Sequence, residues 1–190
     1  VVAAHGVMVS KEEIALLAER KVKVAHCPES NMKLASGVAP VPAMLAKGLT
    51  IGLGTDGSAS NNDVDLFGEM NSAAKMHKVA RMDPTVMNAA QSLHAATLGG
   101  AALLGAEDEI GSIVVGKKAD LIVLDMDQPH LTPVYHPISH LVYAASGGDV
   151  IHSVINGQVV MRDRKLTTLD ETAILAEMKR IGEVVRRMEA

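Results

Sequence analysis

The chain has 190 residues, 48% hydrophobic and 21% charged, which is room for one domain with a sizeable core and part of a second. Its 18 Lys and Arg against 22 Asp and Glu leave a net charge of −4, which offers no basic field to nucleic acid and no polybasic patch to a membrane surface. The single cysteine, Cys27, excludes an intramolecular disulfide and makes a reducing cytoplasm the expected compartment.

Residues 1–4 (Val-Val-Ala-Ala) read as the end of a buried strand that stops at His5. The first residue is Val rather than Met, and we expect the chain to be a piece of a longer protein. Ser10-Lys11-Glu12-Glu13 is a capping box for a helix running to about Lys21. A second strand, residues 22–25, ends at His26, and Cys27-Pro28-Glu29-Ser30-Asn31 reads as a loop. A short helix over residues 40–47 closes at Gly48, and a third strand, 49–53, leads to Gly54-Thr55-Asp56. Continuous apolar strands alternating with helices point to a parallel α/β arrangement. Three strands are too few to close a barrel but suit a segment of one.

Residues 63–80 have the spacing of a longer helix, and Asp83-Pro84 reads as the N-cap and first residue of another. Gly99-Gly100 interrupts that helix before 101–104. The pattern then changes. Residues 113–115 and 119–124 around Gly116-Lys117-Lys118 read as one hairpin, and 150–155 and 158–161 around Asn156-Gly157 as another. A final helix covers about 170–188. A boundary near 107–111 divides an α/β part, 1–106, from a small β part with a C-terminal helix, 107–190.

Position carries the chemical signal. Three successive apolar strands are each followed by an ionisable residue, namely His5, His26 and Asp56. In a parallel α/β barrel the strand C-termini converge on one rim, where active sites lie. Imidazole and carboxylate are also ligands that Zn²⁺ and Fe²⁺ accept. The competing reading, in which each residue hydrogen-bonds its own loop, carries about equal weight on spacing alone. A catalytic metal usually has at least three protein ligands, so further ligands would have to precede Val1. Asn31, Ser58, Asn61 and Asn62 lie in loops beside these strand ends and are candidates to touch a substrate, with local turn formation the plainer role. His77 and His94 fall on helices. His130, His136 and His140 show no metal-site spacing, and burial as an inert thiol is the expectation for Cys27.

At these residues the chain resembles the amidohydrolase superfamily. Ala4-His5-Gly6-Val7, Ala25-His26-Cys27-Pro28-Glu29-Ser30-Asn31-Met32-Lys33-Leu34 and Gly54-Thr55-Asp56-Gly57-Ser58-Ala59-Ser60-Asn61-Asn62 stand in the order of its deaminase and chlorohydrolase branch. Within that branch it is similar to the 5-methylthioadenosine/S-adenosylhomocysteine deaminases, as are His140-Leu141-Val142-Tyr143-Ala144-Ala145-Ser146-Gly147 and Val154-Ile155-Asn156-Gly157. The family often has Cys where Gly6 stands and Asn where Cys27 stands.

The resemblance implies the C-terminal part of a TIM-like (β/α)8 metal-dependent hydrolase barrel, strands six to eight, with part of a small β-sandwich domain and a C-terminal helix. It implies that Asp56 is a metal ligand that takes a proton from the attacking water, and that His5 hydrogen-bonds the nucleophile and the tetrahedral centre. For His26 it implies only rim support. The implied cofactor is one divalent metal, Zn or Fe, with most ligands upstream. The implied partners are a small-molecule substrate and the N-terminal part of the same protein, and a homo-oligomer is compatible with it. The implied activity is hydrolytic deamination of an adenine nucleoside-type substrate with release of ammonia. Deamination or dechlorination of another heterocycle, such as guanine or a triazine, is the alternative within the class, and an inactive structural fragment is the alternative outside it.

Overall fold

The computed structural model describes residues 1–188. Three short parallel strands lie side by side in chain order: β1 (Val2–Ala4), β2 (Lys23–His26) and β3 (Ile51–Leu53). Parallel neighbours need crossovers, and helices supply them. The first is α1 (Lys11–Glu19), opened by the expected capping box: Ser10 Oγ accepts the Glu13 N–H at 3.1 Å, and the Glu13 carboxylate accepts the Ser10 N–H at 2.7 Å. Between β2 and β3 stand α2 (Pro28–Lys33) and α3 (Val41–Ala46). Val24 and Ile51 join Ile14, Val41 and Met44 in one buried cluster. With aromatics scarce, methionine fills the interior: Met44, Met70 and Met87 are all buried, each worth roughly 1.5–3 kcal/mol relative to exposure.

After β3 the chain turns tightly, with Asn62 and Val64 at positive φ. The long helix α4 (Leu66–Arg81) therefore starts later than its apolar spacing suggests, capped by Asp65 Oδ1, which accepts the Phe67 N–H at 2.9 Å. The restart expected at Asp83-Pro84 is not formed. Asp83 makes a local turn instead, accepting the Thr85 N–H at 2.8 Å and hydroxyl at 2.6 Å, and Met87 at φ 43 blocks helix propagation. A capping box of Asn88 and Gln91 then starts α5 (Ala89–His94). The chain continues through one π-helical turn (Ala95–Gly99) into α6 (Gly100–Leu104) without the expected break. Gly99 serves a close approach rather than a break: a Cβ there would lie 2.3 Å from the Ile51 carbonyl oxygen.

The second sheet is antiparallel, in the order β4 (Leu121–Leu124), β5 (Val150–Ile155), β6 (Gln158–Arg162), β7 (Lys165–Leu166). Asn156 and Gly157, at φ 49 and 79, form the two-residue turn of the β5–β6 hairpin. Asp163 and Arg164, also at positive φ, make a second such turn into β7, which the sequence reading did not include. The expected hairpin of 113–115 with 119–124 is absent: β4 pairs with β5, and Ile113 and Val115 are exposed. β-branched residues favour a strand only where a partner is present to pack against.

α7 (Pro137–Tyr143) packs on α4 and α5. The Asn71 amide donates to the Val142 and Tyr143 carbonyls at 3.2 and 3.3 Å, and Lys78 Nζ donates to the Met87 carbonyl and the Tyr143 hydroxyl at 2.9 and 3.0 Å. The last helix, α8 (Glu171–Met188), is amphipathic, with no buried residue. Among the described residues no helix is long and apolar enough to cross a membrane.

Candidate active site

The strand register sets Ala4 beside Ala25 and His26 beside Leu53, so the three strands end level with one another. His5 leaves β1 with its N–H donating to the Ala25 carbonyl at 2.8 Å. Asp56 lies just past β3. Both adopt left-handed backbone, φ 63 for His5 and φ 61 for Asp56. For residues bearing a Cβ that conformation costs about 1–3 kcal/mol and persists only where surrounding contacts enforce it.

The two side chains meet. His5 Nε2 stands 3.9 Å from Asp56 Oδ2, and 38% and 37% of the two side chains are exposed. The far ring nitrogen of His5, Nδ1, lies 2.8 Å from Asn31 Oδ1. Asp56 Oδ2 accepts the Ser60 hydroxyl at 2.7 Å and the Ser30 hydroxyl at 2.8 Å. Those two hydroxyls, then the Gly57 N–H and the His5 ring, hold the Asp56 carboxyl below the usual carboxylate range. Both hydroxyls fall on one oxygen, which leaves Oδ1 the freer one, directed by a carboxylate whose orientation is fixed.

Ser30 and Asn31 come from α2, a helix where the sequence reads as a loop. Pro28 at its first turn, the polar Ser30 and Asn31 and a length of six residues hide any helical period. The first turn of α2 is held from below. Glu69 on α4, fully buried, accepts the Glu29 N–H at 3.2 Å and the Asn61 side-chain amide at 2.6 Å. Burial, with the nearby Glu29 and Asp63 carboxylates adding to it, raises the Glu69 carboxyl to about 7 despite these hydrogen bonds. Glu29 in turn accepts the Ser72 hydroxyl at 2.8 Å. Ser30, Ser60 and Glu69 were not singled out from sequence. Ser30 and Ser60 stand within quoted motifs, but nothing in their spacing marks them as partners of a carboxylate.

His26 does not share the site, so the expectation of a rim role for it is corrected. As the last residue of a buried strand it is fully inaccessible, and its Nε2 lies 3.0 Å from Nε2 of His77 on α4. Burial above all, and then the neighbouring imidazoles, lowers His26 to about 3. Burial, and then Lys78, lowers His77 to about 4. Both rings are therefore neutral at physiological pH. Of the loop candidates, Asn31 touches His5 and Asn61 joins Glu69. Asn62 Oδ1 accepts from Lys33 Nζ, and Ser58 contributes its carbonyl to the turn. Cys27 is buried, and burial pushes its thiol up to about 11, with Glu69 and Asp56 adding to the effect, so it is an inert thiol at neutral pH. His136 caps α7 by accepting the Ser139 N–H, and His130 pairs with Asp149 at 3.0 Å.

Among the described residues no three His, Cys, Asp or Glu side chains converge to hold a metal ion. His5 and Asp56 by themselves do not make a complete metal site within the described residues. Two clefts lie elsewhere, one of about 850 Å³ against α1 and α3 and an apolar one of about 710 Å³ between α4, α6 and β4. No imidazole lines either, so chemistry rather than volume locates the site.

A family model described as the amidohydrolase family matches residues 1–160, and the chain belongs to that family. A 5-methylthioadenosine/S-adenosylhomocysteine deaminase of Syntrophobacter fumaroxidans is 53% identical over 185 residues, which is 97% of this chain and 42% of that protein. A protein of the same name from Natronomonas pharaonis is 50% identical over 187 residues, 98% of this chain and 43% of its own length. Among solved structures, a zinc-bound adenosine deaminase from Xanthomonas campestris superposes with a TM-score of 0.95 at 43% identity, covering 98% of this chain and 42% of that one. The zinc complex of atrazine chlorohydrolase TrzN from Arthrobacter aurescens superposes at 0.88 with 30% identity, covering 94% and 40%. The chain thus spans about two fifths of the length of the curated relatives it matches.

Proposed function

We propose that this chain is the C-terminal part of a metal-dependent hydrolytic deaminase acting on an adenine nucleoside-type substrate, methylthioadenosine or S-adenosylhomocysteine. The observation that carries this reading is the approach of His5 Nε2 to Asp56 Oδ2 at the ends of parallel strands, in a chain about half identical to deaminases of that name. The three parallel strands are then the last three of a (β/α)8 barrel, residues 1–106 its closing segment, and 107–190 part of a small β domain with its C-terminal helix. The rest of the barrel is supplied by the preceding part of the same protein.

The donor set fits a divalent metal. A carboxylate oriented by two hydroxyls on Oδ2, with no side-chain hydroxyl on Oδ1, is a suitable single ligand, and the zinc in two structural neighbours favours that ion. When bound, the metal lowers the pKa of a water at the site. Asp56 would hold the metal and take one proton of the attacking water. His5 Nε2 would accept a hydrogen bond from that water and steady the tetrahedral carbon formed as its oxygen adds to the amine-bearing ring carbon, the displaced C=N electron pair going to the ring nitrogen. The proton on Asp56 would pass to the amino group, and as the carbon–nitrogen bond breaks and ammonia leaves, the second water proton passes from the new hydroxyl to the ring nitrogen, leaving C=O and N–H.

The test uses the complete protein with methylthioadenosine and S-adenosylhomocysteine, following ammonia and the purine absorbance. Release of ammonia with conversion of the adenine to hypoxanthine supports the reading. Faster turnover of guanine or a triazine than of either nucleoside would overturn the substrate assignment, and no turnover of any of them would overturn the activity.

A further inference from the structure

We infer that Asn31 is a positioning residue that fixes the tautomer of His5, placing the ring proton on Nδ1 and turning the Nε2 lone pair toward Asp56. This rests on the reading of His5 and Asp56 as one site. A neutral imidazole carries one donor and one acceptor, and the bond made by one nitrogen decides what the other presents.

Asn31 is well placed to impose that choice. It is 1% exposed, and its Oδ1 lies 2.8 Å from His5 Nδ1. Its own backbone is held on both sides: the N–H donates to the Cys27 carbonyl at 3.0 Å, and the carbonyl accepts the Ser36 N–H at 2.9 Å. The helix beneath is tied to Glu69 through the Glu29 N–H. His5 has little freedom to respond, since its backbone is locked in the left-handed region and its N–H is engaged by Ala25. A rigid acceptor thus meets a rigid ring.

The consequence lies on the far side of the ring. With the proton on Nδ1, both Nε2 and Asp56 Oδ2 are acceptors facing one another at 3.9 Å, too far for a direct hydrogen bond. Two converging acceptors favour a group between them that donates two protons, and a water molecule is such a group. With the opposite tautomer, Nε2–H would point at the carboxylate, and the pair would have one acceptor fewer for the nucleophile. The adjacent residue, Ser30, sets the other half of the same arrangement by donating to Asp56. One short helix therefore orients both partners from consecutive positions.

The test is nitrogen NMR of histidine-labelled complete protein at fixed neutral pH, with the His5 signals assigned by their loss in His5→Gln. Wild type should show Nδ1 protonated and Nε2 bare. Asn31→Leu, similar in volume but without an acceptor, should redistribute the proton toward Nε2 and lower kcat about 10–100-fold, with KM changed less than about threefold. Asn31→Asp keeps an oxygen in place and should keep Nδ1 protonated. It decides the matter if Asn31→Leu does not fold. Protonation of Nε2 alone in wild type, an unchanged tautomer in Asn31→Leu, or an unprotonated Nδ1 in Asn31→Asp would each overturn the inference. Because the tautomer is read without substrate, its failure is distinct from a failure of the deaminase reading, which would appear as absent turnover with the tautomer intact.

Discussion

His5 Nε2 and Asp56 Oδ2 stand 3.9 Å apart although two βα crossovers separate them in sequence. The relationship depends on strand register, on left-handed backbone at both residues and on three polar side chains, Asn31, Ser30 and Ser60, that aim the ring and the carboxylate. Each of these supports can be removed separately.

Ser30→Ala and Ser60→Ala each delete a hydroxyl that donates to Asp56. Loss of one leaves the other in place, so each single change should lower kcat/KM of the complete protein about 10-fold, and the double change by about 100-fold or more. Zinc affinity should fall in the same order. Wild-type rates and zinc retention in the double variant would show that the carboxylate is positioned by something else.

Glu69→Leu removes the acceptor of two buried donors, the Asn61 amide and the Glu29 N–H. Each stranded donor costs about 1–3 kcal/mol, so urea unfolding should register a loss of roughly 2–4 kcal/mol. The same change frees α2, and turnover should drop more than stability alone explains.

The neutral pair His26 and His77 makes stability depend on pH. Their folded-state values, about 3 and 4, lie below the unfolded value of 6.5. Their contribution is therefore complete above about pH 6.5 and is lost as pH falls toward 4, at up to about 1.4 kcal/mol per pH unit for each imidazole. Glu69 acts with the opposite sign. Its carboxyl is raised from 4.5 to about 7, so its share is present below about pH 4.5 and lost as pH rises through 7. Denaturant unfolding of His77→Gln should show a shallower acid decline than wild type, and Glu69→Gln a steeper one.

Gly99→Ala would place a methyl group 2.3 Å from the Ile51 carbonyl oxygen, forcing the π-helical turn away from β3, the strand that delivers Asp56. A loss of about 1–3 kcal/mol is expected. Gly100→Ala is the control: its Cβ would meet only the Ala95 carbonyl oxygen at 3.7 Å, and the helix gains about 1 kcal/mol from the better helix former. Equal Tm shifts in the two variants would contradict the close-approach explanation.

The parts of the fold legible in sequence were those set by local chemistry. Ser10 with Glu13 and Asn156-Gly157 each carry their structure in adjacent residues, and a strand end followed by His5 or Asp56 marks a position. The parts that were not legible depend on distant partners. Residues 113–115 have strand propensity but no neighbour strand, and His26 is drawn into the helix layer by a histidine on α4. The α5 start moved to Asn88 because Met87 takes a left-handed conformation that no residue type there announces. At the site, sequence pointed to His5 and Asp56, the pair the structure brings together, but not to the residues that hold them in place. Asn31 and the serines act through space on residues 26 positions or fewer away, with no periodicity to reveal them.

The most direct measurement is the activity and zinc content of Asp56→Asn in the complete protein. Asparagine keeps the shape and removes the charge to which the proposed function gives metal binding and proton acceptance. Ammonia release from methylthioadenosine should fall by at least about 1,000-fold, a loss of roughly 4 kcal/mol of transition-state stabilisation, and bound zinc should drop well below one per chain. Wild-type turnover with zinc retained would contradict the assignment of Asp56 and, with it, the site.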